Sequence, residues 1–361
     1  MKAMVLAAGL GERMKPLTWD RAKPALPLLN RPSVLHLLEH LARNGVDQVA
    51  INLHYCPDTV RVLEPEIRAL GLNVFFCPEP TILGTGGGLK NAEEFLRDGT
   101  LIMANADFVT DCPLALALEH HRRSGALATL VLTPFQEGTE YGAVEMGDDH
   151  RIVRIAGHPG PGTGKPRYHF TGIHILEPAI FREIPPAVKS EINREIYPKL
   201  IERGERIVGY VHAGFWRELG TPQRYLQGSL DLIRLGDAGY MQKMRLREGV
   251  YSASPLSSLQ GSIEPAFLAG ADLQMSSDSF AAEVVLGNRV VLGRQSRVVQ
   301  SILWDSVRIE ESSSLTECLV ASRVTIPART SLTRRVVLDE ASYRGDRGKL
   351  ERSGSLLLAS F

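Results

Sequence analysis

A glycine turn followed by closely spaced cations opens the chain, in the stretch Ala7-Ala-Gly-Leu-Gly-Glu-Arg13. Glycine amides can approach a phosphate group closely, and nearby Arg and Lys side chains can supply the positive charge that holds it. The combination predicts a loop that binds phosphate. The alternative is an ordinary surface loop whose cations are solvated, and these cations are Arg13, Lys15, Arg21 and Lys23.

Two better-known phosphate motifs do not match this turn. The dinucleotide fingerprint needs a third glycine where Met14 stands, and Pro16 follows too soon for a long helix to begin at Gly11. The Walker loop needs a Gly-Lys pair followed by Ser or Thr, and neither this turn nor the stretch Gly84–Lys90 supplies it. The remaining interpretation is a cradle made of glycine amides and neighbouring cations.

The elements that must position these residues alternate along the first 230 residues. Short apolar runs such as AMVLAAG and LIMANAD are separated by helical patterns such as VLHLLEHLARNG. This alternation predicts βαβ units around a Rossmann-like, mainly parallel sheet. Ligands of such sheets bind at the carboxyl ends of the strands. We therefore expect the chemistry after Ala8, near Asn52, after Phe76 and at Asp107.

The last third of the chain has a different pattern. Aliphatic residues recur in steps of six or eleven from Leu286 to Leu332, often followed by Gly, Glu or Pro. A period near six predicts hexapeptide coils of a parallel β-helix, and a small β-sandwich or a meander is the alternative. The predicted organisation is a catalytic domain at 1–235, a linker at 236–262, a β-helix at 263–340 and a polar, mobile tail at 341–361 that ends in apolar residues.

Composition narrows the class of protein. The 361 residues carry 41 Lys and Arg against 41 Asp and Glu, so no overall basic field favours nucleic-acid or membrane binding. The four cysteines lack CxxC spacing, which argues against a zinc site and a disulfide framework and fits a reducing cytoplasm. No apolar stretch reaches 18 residues, so we expect a soluble protein.

Six ordered segments carry a resemblance to a known family. The stretch LAAGLGERMKPLTWDRAKPALPLLNRP resembles the signature of sugar nucleotidyltransferases, the nucleotide-sugar pyrophosphorylases. The segments EPTILGTGGGLKNA, LIMANADF, EYGAV and GFWRELGTPQRYL fit the same family in the same order, and the last third is similar to the left-handed β-helix of its mannose-1-phosphate guanylyltransferase-like branch.

The resemblance implies a reaction and a set of roles. A sugar 1-phosphate would attack the α-phosphorus of an NTP and release pyrophosphate, with Mg²⁺ as cofactor. Arg13, Lys23 and Asp107 would be catalytic, and Asp107 and Glu218 would hold the metal, although the family usually has Asp at position 218. The implied nucleotide-binding residues are Leu6, Ala8, Gly9, Gly11, Glu79, Gly84, Thr85 and Gly86, and the implied sugar-binding residues are Tyr141, Gly142, Thr171 and Gly172.

Departures from the family pattern leave the substrates open. Gly157 and His158 stand where the family has Glu-Lys, and either Lys165 or Arg167 could replace the missing cation. GTP with a mannose-like sugar is the first choice, and UTP or a non-catalytic regulatory subunit that binds nucleotide sugars are the alternatives. An acyltransferase on the β-helix is excluded because no histidine follows His212. We also expect a homo-oligomer, through the β-helix or the catalytic domain.

Overall fold

Two units make up the chain in the computed structural model, which describes residues 1–137, 142–155, 163–236, 241–255 and 259–361. The first unit consists of Met1–Leu10, Arg21–Ala25 and Ser33–Glu218. The second unit consists of Gly11–Asp20, Leu26–Pro32 and Leu219–Phe361. The opening glycine turn is therefore divided, because its first glycine folds with the first unit and its second glycine with the second.

The helical patterns of the sequence form short helices. Pro65 lies in the first turn of one of them, where its missing N–H costs no hydrogen bond, and the predicted helix around it is split in two. No helix among the described residues is long and apolar enough to cross a membrane. The helices are α1 (Ser33–Arg43), α2 (Asp58–Arg61), α3 (Glu64–Ala69), α4 (Gly84–Asn91), α5 (Glu93–Leu96), α6 (Leu114–Ser124), α7 (Tyr197–Glu202) and α8 (Pro222–Leu235).

The apolar runs of the first 218 residues form strands. They are β1 (Lys2–Leu6), β2 (Pro27–Leu28), β3 (Arg31–Pro32), β4 (Gln48–Leu53), β5 (Asn73–Pro78), β6 (Leu101–Asn105), β7 (Phe108–Thr110), β8 (Ala128–Pro134), β9 (Ala143–Met146), β10 (Ile152–Arg154), β11 (Arg167–Leu176), β12 (Ile207–Val211) and β13 (Trp216–Glu218). Nine of them form the sheet of the first unit in the order β10-β9-β11-β6-β1-β4-β5, with β8 beside β11 and β12 beside β8.

This sheet is mixed. β1 runs parallel to β4 and β6, and β4 runs parallel to β5, whereas β11 is antiparallel to β6, β8 and β9. The predicted parallel arrangement therefore holds for the strands that lead to the expected site. Leu6 is in register with Asn52 and Asn105, and Asn52 is in register with Cys77, so the carboxyl ends of these four strands share one edge.

Both faces of the sheet are covered. Ala3 and Val5 point into one apolar core, and Met4 between them points into the other. A strand buried on both faces needs an unbroken apolar run rather than an alternating pattern. This requirement explains the composition of the AMVL and LIMA stretches.

The second unit contains the remaining strands. They are β14 (Arg245–Arg247), β15 (Val250–Ser252), β16 (Ser262–Ile263), β17 (Phe267–Ala269), β18 (Gln274–Met275), β19 (Phe280–Leu286), β20 (Val291–Leu292), β21 (Arg297–Leu303), β22 (Arg308–Ile309), β23 (Ser314–Thr316), β24 (Leu319–Val320), β25 (Thr325–Ile326), β26 (Ser331–Thr333), β27 (Arg335–Asp339), β28 (Glu351–Ser353) and β29 (Leu356–Ser360).

These strands stack as a parallel β-helix, as the sequence predicted. Phe280 pairs with Arg297, Arg297 with Ser314, and Ser314 with Ser331, so neighbouring coils are offset by 17 residues. The steps of six and eleven in the aliphatic pattern together make one such coil. Six of the seven aliphatic positions are fully buried, and the last one, Leu332, is half-buried.

Each coil turns at residues in the left-handed backbone region that are not glycine. One ladder of such corners has φ values of 52°, 47°, 52° and 53° at Glu283, Gln300, Glu317 and Arg334. A left-handed non-glycine residue costs about 1–2 kcal/mol. Side chains of the ladder bond to one another: Gln300 donates to Glu283 at 2.6 Å, and Arg334 lies 3.5 Å from Glu317.

The sheet of the β-helix extends beyond both predicted ends. β14 and β15 lie within the predicted linker, and β15 pairs in parallel with β17. At the other end, β29 pairs antiparallel with β27 and with β28. The apolar side chains Leu356–Leu358 are buried there, so the predicted tail forms a hairpin that completes the sheet.

The four cysteines are free thiols. Burial raises the pKa of Cys77 and Cys112 to about 12, and it also raises the pKa of Cys318. Since the thiolate is the reactive form, these three side chains are inert packing groups rather than nucleophiles.

Candidate active site

Lys23 and Asp107 form an ion pair in the first unit. Lys23 Nζ lies 2.7 Å from Asp107 Oδ2, and the two side chains are 14% and 27% exposed. Lys23 begins a 3₁₀ turn that Ser33 Oγ fixes by donating to Pro24 O at 3.0 Å, and Asp107 follows the end of β6. The structure thus brings together two of the three predicted catalytic residues and leaves one side of the pair open to solvent.

Glu218 reaches the same place through a two-stranded ladder. β13 pairs antiparallel with β7, and Glu218 is in register with Phe108, the residue after Asp107. The described residues contain no group of three or more His, Cys, Asp or Glu arranged for a metal ion. Mg²⁺ prefers one or two carboxylates together with phosphate oxygens and water. Two carboxylates on neighbouring strands fit that preference.

The glycine turn and its cations, residues Gly9–Lys23, are called the signature segment below. A Cβ atom placed on the exposed Gly9 would meet no atom within 4 Å. Gly11 has φ 65°, and only the 3₁₀ turn Glu12–Met14 follows it, so the absence of a long helix is confirmed. Thr18 Oγ1 donates to Gly11 O at 2.9 Å and closes the loop.

The other predicted residues of this region differ in their surroundings. Leu6 is half-buried at the end of β1, and Ala8 is buried. Arg13 is exposed and folds with the second unit, whereas Lys23 folds with the first. The roles of these residues toward a nucleotide stay predictions.

Asn52 and Glu79 form a buried network that sequence reasoning did not find. Asn52 Oδ1 accepts from Ala7 N at 2.6 Å, and its Nδ2 donates to Glu79 Oε1 at 2.7 Å. Glu79 Oε2 accepts from Leu83 N at 3.0 Å, and Glu79 is only 3% exposed. Glu79 was expected to help select the base. Its carboxylate instead holds the backbone that precedes the second glycine-rich stretch.

That stretch, Gly84–Gly88, is called the glycine-rich segment below, and it begins helix α4. The sequence predicted that its amides are open to a ligand, and this detail is wrong for two of them. Gly86 N and Gly87 N both donate to Ser190 O, at 2.9 and 3.3 Å. Thr85 Oγ1 donates to Glu191 Oε2 at 2.8 Å. No sequence signal pointed to these partners, which lie more than one hundred residues away.

The predicted sugar-binding residues are placed only in part. Tyr141 lies outside the described residues, and Gly142 is exposed. Thr171 is buried in β11, where its hydroxyl donates to Val131 O at 2.8 Å, so this side chain serves the sheet. Gly172 has φ 93°, and a Cβ there would lie 3.0 Å from Asn105 Nδ2. A side chain at this position would be strained and crowded, which explains the glycine.

The cations expected to replace the family lysine have protein partners. Gly157 and His158 lie outside the described residues. Lys165 Nζ lies 3.8 Å from the exposed Asp148. Arg167 lies 3.7 Å from Glu137, and its guanidinium sits 4.1 Å from the centre of the Phe135 ring. Both are exposed pairs of low energy, so either cation can exchange its partner for a phosphate.

Comparison with known proteins covers most of the chain. Residues 2–234 match the family model described as nucleotidyl transferase, and residues 269–348 match the one described as GlmU-like, C-terminal hexapeptide. A mannose-1-phosphate guanylyltransferase of Mycobacterium tuberculosis is 30% identical over 85% of this chain and 81% of its own length. A UTP–glucose-1-phosphate uridylyltransferase of Synechocystis is 26% identical over 90% of this chain and 88% of its own.

A solved structure supports the fold of the first unit. HddC from Yersinia pseudotuberculosis superimposes with a TM-score of 0.56 at 22% identity, over 64% of this chain and 99% of that one. The ion pair, the paired strands that carry two carboxylates and the matched residues 2–234 agree with the resemblance seen in the sequence. The chain therefore belongs to the nucleotidyl transferase family and is an enzyme of the nucleotidyltransferase class.

Proposed function

We propose that the chain transfers a nucleoside monophosphate from an NTP to a sugar 1-phosphate, in a reaction that depends on Mg²⁺. The observation that carries this proposal is the half-open ion pair between Lys23 and Asp107 at the sheet edge. Glu218 lies on the neighbouring strand, in register with the residue after Asp107. The pair offers a cation to phosphate oxygens and a carboxylate to a metal from one place.

The reaction brings two anions together. A phosphate oxygen of the sugar 1-phosphate attacks the α-phosphorus and forms a new P–O bond, while the bond to the bridging oxygen of the β-phosphate breaks and pyrophosphate leaves with the electron pair. Two unit charges 4 Å apart repel by about 4 kcal/mol at an effective dielectric of 20. Lys23 offsets this repulsion from a fixed position, because Asp107 and the 3₁₀ turn restrain it before substrate arrives.

Asp107 and Glu218 would hold the metal. When bound, Mg²⁺ supplies charge neutralisation on phosphate oxygens. Glu218 keeps the charge of the aspartate usual in the family and adds one methylene. We expect Arg13, in the signature segment, to contact the pyrophosphate part of the nucleotide.

GTP and mannose 1-phosphate are the proposed substrates. The Mycobacterium tuberculosis relative named as a mannose-1-phosphate guanylyltransferase supports this choice, and so does a structure of HddC titled as a complex with GMP-PN. The relative named for UTP and glucose 1-phosphate makes a uridylyltransferase the second candidate, since its similarity spans 90% of this chain.

Pyrophosphate release from the full chain tests the proposal. The assay combines Mg²⁺ with each of five NTPs and several sugar 1-phosphates, and we expect release with GTP and mannose 1-phosphate. Asp107→Ala should lower the rate by on the order of 10²–10³. Asp98→Ala is the matched control, because Asp98 also pairs with a lysine at 2.7 Å but is 68% exposed, and it should keep full activity.

Two results would overturn parts of the proposal. Release only with UTP and glucose 1-phosphate would replace the substrates and keep the reaction. Failure to release pyrophosphate in every combination, with nucleotide-sugar binding still measurable, would establish a regulatory subunit in place of an enzyme.

A further inference from the structure

The signature segment folds with the C-terminal part of the chain. Its residues Gly11–Asp20 belong to the second unit, together with Leu26–Pro32 and everything from Leu219 onward. Met14, Leu17 and Thr18 within it are almost completely buried. A segment with one 3₁₀ turn has little secondary structure to hold it, so its shape must come from packing in this unit.

The first contact of this kind joins Trp19 to Tyr343. Their ring centres lie 5.2 Å apart and the ring planes are inclined by 64°, which is the edge-to-face arrangement that aromatic pairs prefer. Tyr343 is 3% exposed, and its hydroxyl donates to Asp346 O at 3.0 Å. A Cβ on Gly345 would lie 2.6 Å from Tyr343 Cζ and 3.0 Å from Trp19 Cβ. The turn at Gly345 thus encloses both rings.

A second contact holds the tight turn between β2 and β3. Leu29 and Asn30 at its centre have φ values of 50° and 65°. Such backbone angles are costly for leucine and persist where the surroundings enforce them. Leu29 is 1% exposed, and Asn30 Nδ2 donates to Leu286 O in β19 at 2.7 Å.

A third contact lies one residue before that turn. The hydroxyl of Tyr225, in α8, donates to Pro27 O. Trp304 Nε1, in the β-helix, donates to the same hydroxyl at 3.2 Å. Buried polar groups bonded in this way fix one arrangement of the backbone. Three separate parts of the C-terminal region therefore hold residues 11–32.

We propose that the C-terminal hairpin positions the nucleotide-binding segment, and that Tyr343 is a positioning residue that acts through Trp19. The inference rests on the proposed function, because it assumes that Gly11 and Arg13 contact the nucleotide. Tyr343 holds the shape of the segment before nucleotide binds, so that binding does not have to order it. Loss of the ring contact weakens nucleotide binding more than it weakens the fold.

Three tyrosine variants test the proposal in the full chain. Tyr343→Ala should raise KM for the NTP roughly three- to tenfold, in line with the energy of an aromatic pair, and leave KM for the sugar 1-phosphate unchanged. Tyr343→Phe keeps the ring and loses only the bond to Asp346, so it should behave as wild type. Tyr251→Ala removes an equally buried tyrosine of β15, a strand that pairs with β14 and β17, and should lower the Tm without moving KM.

A double-mutant cycle isolates the ring pair. If Trp19 transmits the effect, Trp19→Ala combined with Tyr343→Ala should raise KM for the NTP no further than Tyr343→Ala alone. Additive effects, or an equal KM shift in Tyr251→Ala, would overturn the proposal.

A second route remains open if Tyr343→Ala does not fold. Asn30→Gly tolerates the left-handed turn and removes only the bond to Leu286 O, and it should raise KM for the NTP as well. A wild-type KM in this variant would overturn the proposal in that case. A wild-type chain that neither binds NTP nor releases pyrophosphate would instead refute the proposed function, so the two failures are distinguishable.

Discussion

The signature segment and the glycine-rich segment look alike in sequence and differ in what surrounds them. A Cβ on Gly9 in the first would meet nothing within 4 Å. A Cβ on Gly84 in the second would lie 2.5 Å from Ser190 O, and one on Gly88 would lie 2.8 Å from both Asn52 Nδ2 and Glu79 Oε1. The protein itself occupies the space beside the second set of glycines, and leaves the space beside the first set free.

The difference separates two reasons for a glycine. In the glycine-rich segment, packing against residues of the same unit requires the missing side chain, whatever ligand binds. At Gly9 the structure imposes no such requirement, so the approach of a ligand is the physical reason that remains. The two segments also depend on different partners, since the glycine-rich segment packs on Ser190 and Glu191, and most of the signature segment folds with the C-terminal unit.

The largest expected effect comes from the side chain that serves both segments. Asn52→Ala would leave Ala7 N and the buried Glu79 carboxylate without their bonds, so it should lower the free energy of unfolding by about 2–4 kcal/mol. Urea denaturation measures this change. Asn44→Ala, which removes a single bond to His40 O at a helix end, should cost less than about 1 kcal/mol. Equal losses in both variants would contradict the linking role of Asn52.

A methyl group in the crowded segment should have the next largest effect. Gly88→Ala places its Cβ against two buried polar side chains and should destabilise the fold by about 1–3 kcal/mol despite the better helix propensity of alanine. Gly99→Ala is the matched control, because a Cβ there meets nothing within 4 Å. Thermal unfolding of both variants decides the point, and an unchanged Tm for Gly88→Ala would break the comparison.

The smallest effect on stability is expected in the open segment. Gly9→Ala should change the free energy of unfolding by less than about 0.5 kcal/mol, because its Cβ has free space. The same methyl group should raise KM for the NTP, since a nucleotide would need that space. Steady-state kinetics beside a denaturation curve separates the two readouts. A variant with wild-type stability and wild-type KM would remove Gly9 from the site.

Local rules were sufficient to predict part of this site from sequence. Lys23 and Asp107 were both expected at the site, Asp107 because it ends an apolar strand, and the structure joins the two in one ion pair. The six- and eleven-residue steps located the buried positions of the β-helix for the same reason, because each coil repeats a short pattern.

Long-range contacts account for what was not predicted. Glu191 and Ser190 reach the glycine-rich segment from a stretch with no motif, and Tyr343 lies in residues that had been taken for a mobile tail. Nothing in the types or spacing of these residues distinguishes them from ordinary surface positions. Glu79 was assigned a ligand by resemblance, and only its burial and its two bonded oxygens reveal its structural role.

The division of the signature segment between two units has a consequence for how the protein is made. Synthesis proceeds from the N-terminus at about 5–20 residues per second, and domains fold as they emerge. Gly11–Asp20 leave the ribosome first, yet Tyr343, the partner of Trp19, is among the last residues to be added. The nucleotide site is therefore begun at the start of translation and completed only at its end. A chain that stops early can fold its sheet without gaining a finished site, so prematurely terminated products do not compete for nucleotide.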